Sequence, residues 1–224
     1  MRRLLGTLLV VVALSACSTD DERGPGAGTP DESVGTTAPP GLDEVPPGYD
    51  QQLDGPPPAK DEDLDGAALT ALLRTRASVA DDGHCTRDQV FVTLDGFDIS
   101  LGHRYSRLVV RNDSDRTCVV EGVPGIGVRG TWGSRFVPEV EHTDRDVDGE
   151  AIVAEPIRLE PGERAAAGIE WTGDLAGAES EQASMLVVQL ASGQVPVPVP
   201  AVADGERVDI GQFTTIRLAP FVAG

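Results

Sequence analysis

The run Val195-Pro196-Val197-Pro198-Val199-Pro200 restricts the fold of this chain more than any other stretch. Proline lacks a backbone N–H and its ring clashes with the preceding helical turn, so the run cannot be a helix. In a strand, alternate residues aim their N–H groups at the same side. Three prolines two positions apart therefore erase the donors along one side only. The valines between them share one face and can point into a core. The run is expected to be an edge strand, protected against pairing with other chains.

An edge strand needs a sheet, and the sequence supplies one. Val90, Val92 and Leu94 alternate, and Tyr105–Arg111, Arg135–Val140, Arg164–Trp171, Met185–Leu190 and Phe213–Leu218 are further short strand candidates. Gly, Pro and Asp turns separate them, a pattern that argues for an all-β sandwich or barrel. Leu108–Val110 and Cys118–Val120 flank the polar cluster Asn112-Asp113-Ser114-Asp115, whose short side chains bond nearby backbone. That reads as a β-hairpin, after which Pro124-Gly125 turns the chain into another apolar segment.

The N-terminus has a different character. Arg2-Arg3, the apolar stretch Leu4–Ala13 and then Leu14-Ser15-Ala16-Cys17 form a basic, an apolar and a small-residue region. The apolar part is too short to span a bilayer, so it reads as an export signal over residues 1–16. Leu14–Cys17 resembles the lipobox of bacterial lipoproteins, which implies that Cys17 is acylated and becomes the first mature residue. Two or more acyl chains anchor stably where one holds only marginally. Residues 17–65 follow as the anchored cysteine and a tether rich in proline, glycine and acidic residues. So little can be buried there that disorder is expected, and a coil of that length spans roughly 40 Å.

With Cys17 acylated, two of the three cysteines remain. Cys85 and Cys118 are then expected to form one disulfide, since export places them outside the reducing cytoplasm. The chain-entropy argument gives that bond roughly 3–4 kcal/mol. Between tether and strands, Asp65–Ala80 reads as the one helix, occupying residues 66–82 with its terminal turn. Asp65 caps it, Leu69, Leu72, Leu73, Arg76 and Val79 recur near helical spacing, and Asp81-Asp82-Gly83 stops it. It either packs on the following domain or binds a partner.

From Cys85 the motifs run in a distinctive order. Gly102 precedes the Asn-Asp-Ser turn and Cys118; Glu121-Gly122-Val123-Pro124-Gly125 and Leu159-Glu160-Pro161-Gly162 come next. A strand ending Ile169-Glu170-Trp171 and the closing Ile216-Arg217-Leu218-Ala219-Pro220-Phe221 complete the series. Together they resemble an actinobacterial family of secreted and lipid-anchored proteins, the domain of unknown function 4232, over residues 83–222. The resemblance implies an immunoglobulin-like β-sandwich over residues 83–224, preceded by the linker and short helix, on the extracytoplasmic face of the membrane. It carries over no catalytic residue. Two departures stand out: Val123 replaces an aromatic turn residue, and a second cysteine pair expected near Gln182–Ser184 and Asp209–Gln212 is missing.

Chemistry is sparse. The net charge of −19 excludes nucleic acid as a partner, because phosphates demand cationic patches. His84, His103 and His142 are scattered, and His84 reads as a solvated turn residue. No Gly-x-Ser-x-Gly elbow or phosphate-binding Gly-Lys loop appears. Two methionines, one of them Met1, are too few for a soft copper site. One acidic motif fits a calcium loop: Asp144, Asp146 and Asp148, then Gly149 at position six and Glu155 at twelve. Pro138 and Pro156 deny it the helices of an EF-hand, so a solvated inter-strand loop is expected. Asp61–Gly66 echoes the motif but has Leu72 at position twelve. The sequence thus points to a non-enzymatic binding or interaction module of the cell envelope, needing no cofactor, with an unidentified protein or small-molecule partner. A calcium-stabilised structural domain is the alternative, and an enzyme comes third.

Overall fold

The computed structural model describes residues 58–146, 149–173 and 181–224. Twelve strands are formed among them: β1 (Val90–Ser100), β2 (His103–Asn112), β3 (Cys118–Val120), β4 (Gly125–Gly130), β5 (Glu139–His142) and β6 (Ile157–Leu159). Then come β7 (Arg164–Thr172), β8 (Ala183–Gln189), β9 (Val197–Pro200), β10 (Val202–Ala203), β11 (Glu206–Arg207) and β12 (Thr215–Ala223). A seven-stranded sheet runs in the order β11-β10-β1-β2-β7-β12-β5, and faces a three-stranded β4-β8-β9 sheet and the β3-β6 pair. Leu108, Val110, Ala167, Ile169, Trp171, Leu218 and Phe221 from the large sheet meet Ile126, Val128, Leu186, Val188 and Val199 in one core. The architecture is the expected all-β, immunoglobulin-like sandwich.

The proline run behaves as its chemistry demands. β9 is an edge strand paired only with β8, with Val199 opposite Leu186 and Pro198 opposite Val187. The Ala201 N–H reaches Ser184 O at 3.0 Å, so the residues of valine parity donate inward and the prolines face away. Val197 and Val199 are buried, whereas Val195 is exposed ahead of the strand.

Two expectations are corrected. β2 and β3 do not form a hairpin: β2 lies between β1 and β7, while β3 pairs with β6. The polar cluster is a crossing between layers, held by the buried Asn112 side chain. Its Nδ2 donates to Arg116 O at 2.8 Å and Leu159 O at 2.9 Å, and its Oδ1 accepts from Ser114 N at 3.1 Å and Ser114 Oγ at 2.8 Å. All of its hydrogen-bonding capacity is used, as a buried amide requires.

The helix is also shorter than its periodicity suggests. α1 covers Gly66–Leu72, with Asp65 Oδ1 capping Ala68 N at 2.8 Å, and the chain beyond Leu72 is extended. Burial switches there to period two: Leu73, Thr75, Ala77 and Val79 turn inward while Arg74, Arg76, Ser78 and Ala80 face out. This strap covers the free edge of β4. Arg74 N and Thr75 N donate to Ile126 O, Ser78 N donates to Val123 O, and Ala77 N reaches Gln189 Oε1 at 3.1 Å. A Cβ at Gly127 would lie 2.1 Å from Leu72 O, so only glycine allows the approach. Leu69 and Leu72 pack on Met185 and Val187, burying the second face of β8. Arg129, buried, pairs with Asp61 of the short 3-10 turn Asp61–Asp63, so residues 58–65, expected as part of the disordered tether, are instead ordered against the domain.

Candidate functional site

The outer face of the large sheet carries a groove. Its floor is made of small residues: Ala166 and Gly168 of β7, and Ala219, Pro220 and Val222 of β12. The β12 register slips between Leu218 and Phe221, so Ala219 and Pro220 together oppose Gly168. Such a bulge re-aims side chains and bends a strand. A Cβ at Gly168 would meet Ala219 Cβ at an ordinary 3.6 Å. Packing therefore does not demand glycine at Gly168; what its absent side chain provides is depth. The cavity measures about 510 Å³.

One wall is formed by Thr143, Arg145, Asp146, Gly149 and Ile152. Arg145 bridges Ala151 in antiparallel fashion, Asp146 N donates to Glu150 O at 3.0 Å, and Gly149 takes φ +83°. Arg145 and Asp146 thus pair with Ala151 and Glu150 across the acidic loop. The Asp146 carboxylate accepts from Glu150 N at 2.8 Å, and Ile152 leans over the floor. Asp144 and Glu155 are exposed, and Asp148 lies outside the described residues. Among the described residues, no group of three or more His, Cys, Asp or Glu side chains could hold a metal ion. In the echo of the motif, Asp61 pairs with Arg129 and Asp65 caps α1.

Arginines ring the groove. Arg145 Nη1 donates to Gly149 O at 2.7 Å. Arg217 Nε donates to Glu141 Oε2 at 2.9 Å and its Nη1 lies 3.6 Å from Glu170 Oε1. The Glu141 hydrogen bond, then the Glu170 charge, push the Arg217 pKa up from its ordinary value, so it stays a cation. Glu170 also lies 2.6 Å from His103 Nδ1, at the start of β2. Arg107 forms no ion pair among the described residues and is exposed on the rim. The groove therefore has an apolar base and three rim arginines: Arg217 is ion-paired, Arg145 is bonded to a backbone carbonyl, and Arg107 has no ion pair among the described residues. Ser106, at its inner edge, gives its hydroxyl proton to Asp95 O at 3.2 Å, and among the described residues no base activates a nucleophile there.

Cys85 and Cys118 form the expected disulfide, with Cα atoms 4.8 Å apart across 33 positions. It ties the segment before β1 to β3, away from the groove. His84 is buried beside it, with Nε2 3.7 Å from Glu121 Oε2, and is not the solvated turn residue expected. Cys17 lies outside the described residues. The groove itself was missed in the sequence: Ala166, Gly168 and Ala219 read as filler, and the available signal was their smallness on alternate, outward positions.

The geometry can be set beside known proteins. A family model described as Domain of unknown function (DUF4232) matches residues 85–217. No curated protein and no solved structure matches the chain. The family match starts at the first disulfide cysteine, spans the sheets on both sides of the core and covers more than half of the sequence: the chain belongs to the DUF4232 family.

Proposed function

We propose that the protein is a non-enzymatic binding module of the cell envelope, exported, held to the membrane by an acylated Cys17, and built to bind an amphiphile in its outer groove. The setting follows from the signal and lipobox pattern of residues 1–17, together with the actinobacterial secreted and lipid-anchored proteins that the motif order resembles. The observation that carries the binding role is the groove: about 510 Å³ over a floor of alanine, glycine and valine, ringed by arginines of which Arg107, exposed on the rim, has no ion pair among the described residues. An apolar body lies on such a floor, and a single anionic group pairs with Arg107. Pockets of this size with few convergent polar groups are the common form of small-molecule sites.

The test is binding of a long-chain fluorescent carboxylate, followed by emission. Gly168→Leu fills the floor from an outward position and should abolish binding with little change in melting temperature. Arg107→Ala should weaken it several-fold and remove its dependence on salt. Unchanged affinity in Gly168→Leu would show that the groove is not the site.

A further inference from the structure

Ten large apolar side chains are exposed among the described residues, and five of them gather at one end of the sandwich: Ile99, Leu101, Trp132, Val137 and Phe213. The pairing places them together. Ser100 opposes His103, His103 opposes Thr172, and Thr172 Oγ1 accepts from Thr215 N, so the β1–β2 tip and the Phe213 turn share that end. Glu139 N donates to Thr214 O, which brings Val137 to the Phe213 turn, and Trp132 sits on the turn after β4, whose Thr131 N donates to Gln182 O just ahead of β8. Leu101 is 98% exposed and Phe213 89%.

Leu101 is the telling residue. It has φ 49° and is followed by Gly102 at φ 87°, in a two-residue hairpin turn. That turn asks for Asn-Gly or Asp-Gly, and a leucine held left-handed is strained. Its side chain packs on nothing in the fold, so folding does not explain it. Strain kept at an exposed apolar tip points to a contact outside the domain.

The same end is where the described chain begins. Pro58 lies against the Gly133 turn, and Arg129 Nη2 donates to Ala59 O. Cys17 is about 41 residues upstream of Pro58. The chain toward Cys17 therefore leaves the domain from this end. We propose that Leu101, Trp132 and Phe213 form a membrane-contact surface that enters the interfacial layer of the bilayer carrying the Cys17 anchor. The choice of a bilayer over a protein partner rests on the lipid-anchor reading. Trp, Phe and Leu are the residues that interfacial segments use. With a net charge of −19, zwitterionic headgroups are favoured over anionic ones.

The experiment uses the full chain from position 17 with Cys17→Ser, so that no acyl group contributes. The chain has two tryptophans, and Trp171 is buried whereas Trp132 is 68% exposed, so a change in emission reports Trp132. Phosphatidylcholine vesicles should shift the emission to the blue and protect it from acrylamide; phosphatidylglycerol vesicles should do so more weakly. Phe213→Ser should lower partitioning by about tenfold or more. Leu101→Asn, which suits the left-handed conformation better, should lower partitioning while raising the melting temperature. No blue shift and no co-sedimentation with phosphatidylcholine vesicles overturns the proposal. So does an emission shift that appears with protein concentration alone and tracks a dimer in sedimentation. Fractionation of the wild-type protein tests the anchor separately: vesicle binding by the unacylated chain can stand even if Cys17 proves unmodified.

Discussion

Asn112 offers the sharpest test of how the two layers are joined. Its amide is fully buried and bonded to Arg116 O, Leu159 O, Ser114 N and Ser114 Oγ. Replacing it with alanine removes those bonds, although Leu159 keeps its ladder partner Cys118. Net hydrogen-bond contributions of about 1 kcal/mol each give a loss of about 2–4 kcal/mol. For a domain of this size that lowers Tm by roughly 5–15 °C in thermal unfolding followed by circular dichroism. Asn112→Asp separates packing from hydrogen bonding, because it keeps the shape and the acceptor but replaces Nδ2 and its two N–H donors with one oxygen facing two carbonyls. Burial and those carbonyls raise the carboxyl pKa in the folded state, so the penalty is full at neutral pH and shrinks as pH falls through that raised pKa. Relative to wild type, Asn112→Asp should therefore recover toward mild acid, whereas Asn112→Ala should not. An Asn112→Asp protein as stable as wild type at pH 7 would refute the reasoning.

Four further outcomes are expected. Leu69→Ala, at the centre of the α1 contact with Met185 and Val187, should destabilise by about 2–5 kcal/mol in denaturant titration, since Leu69 is 1% exposed. Unreduced protein should show no alkylatable thiol at Cys85 or Cys118, and reduction should lower Tm, with loop closure accounting for about 3–4 kcal/mol. Cys17→Ser should move the protein from the membrane fraction to the soluble exported fraction; retention after a high-salt wash would defeat the anchor. Millimolar calcium should leave Tm unmoved, because the Asp146 carboxylate already serves Glu150 N; a true site at a hundredfold excess over Kd would add about 2.7 kcal/mol.

The fold was readable where local chemistry and tertiary role coincide. The Val-Pro run could be nothing but an edge, and alternation in Val90–Leu94 and Arg164–Trp171 marked strands that became β1 and β7. Reading failed where one pattern served two structures. Leu69, Leu72, Leu73, Arg76 and Val79 fit a helical stripe, yet after Leu72 the strap gains more from the open edge of β4 than from further helical turns. Asn112–Asp115 has turn chemistry, but turn chemistry does not say whether the chain returns to the same sheet or changes layer. The groove was least legible, since it depends on a register slip in β12 and on small residues whose meaning is the space above them.

The strap is synthesised before the edge it covers. A chain made from its N-terminus releases Leu72–Ala80 first, while Gly127 and Ile126 come about fifty residues later and the partners Gln189 and Gln194 later still. The bond from Ala77 N to Gln189 Oε1 closes across 112 positions and that from Gln194 Nε2 to Asp81 Oδ1 across 113. Contacts so distant along the chain form late. Until then β4 has an open side, available to any other extended chain nearby. Trimming the protein at the family boundary, residue 85, would make that transient condition permanent: Met185 and Val187 would face water and Ile126 O would lose both of its donors. The matched segment alone is therefore expected to self-associate at dilutions where the whole chain does not.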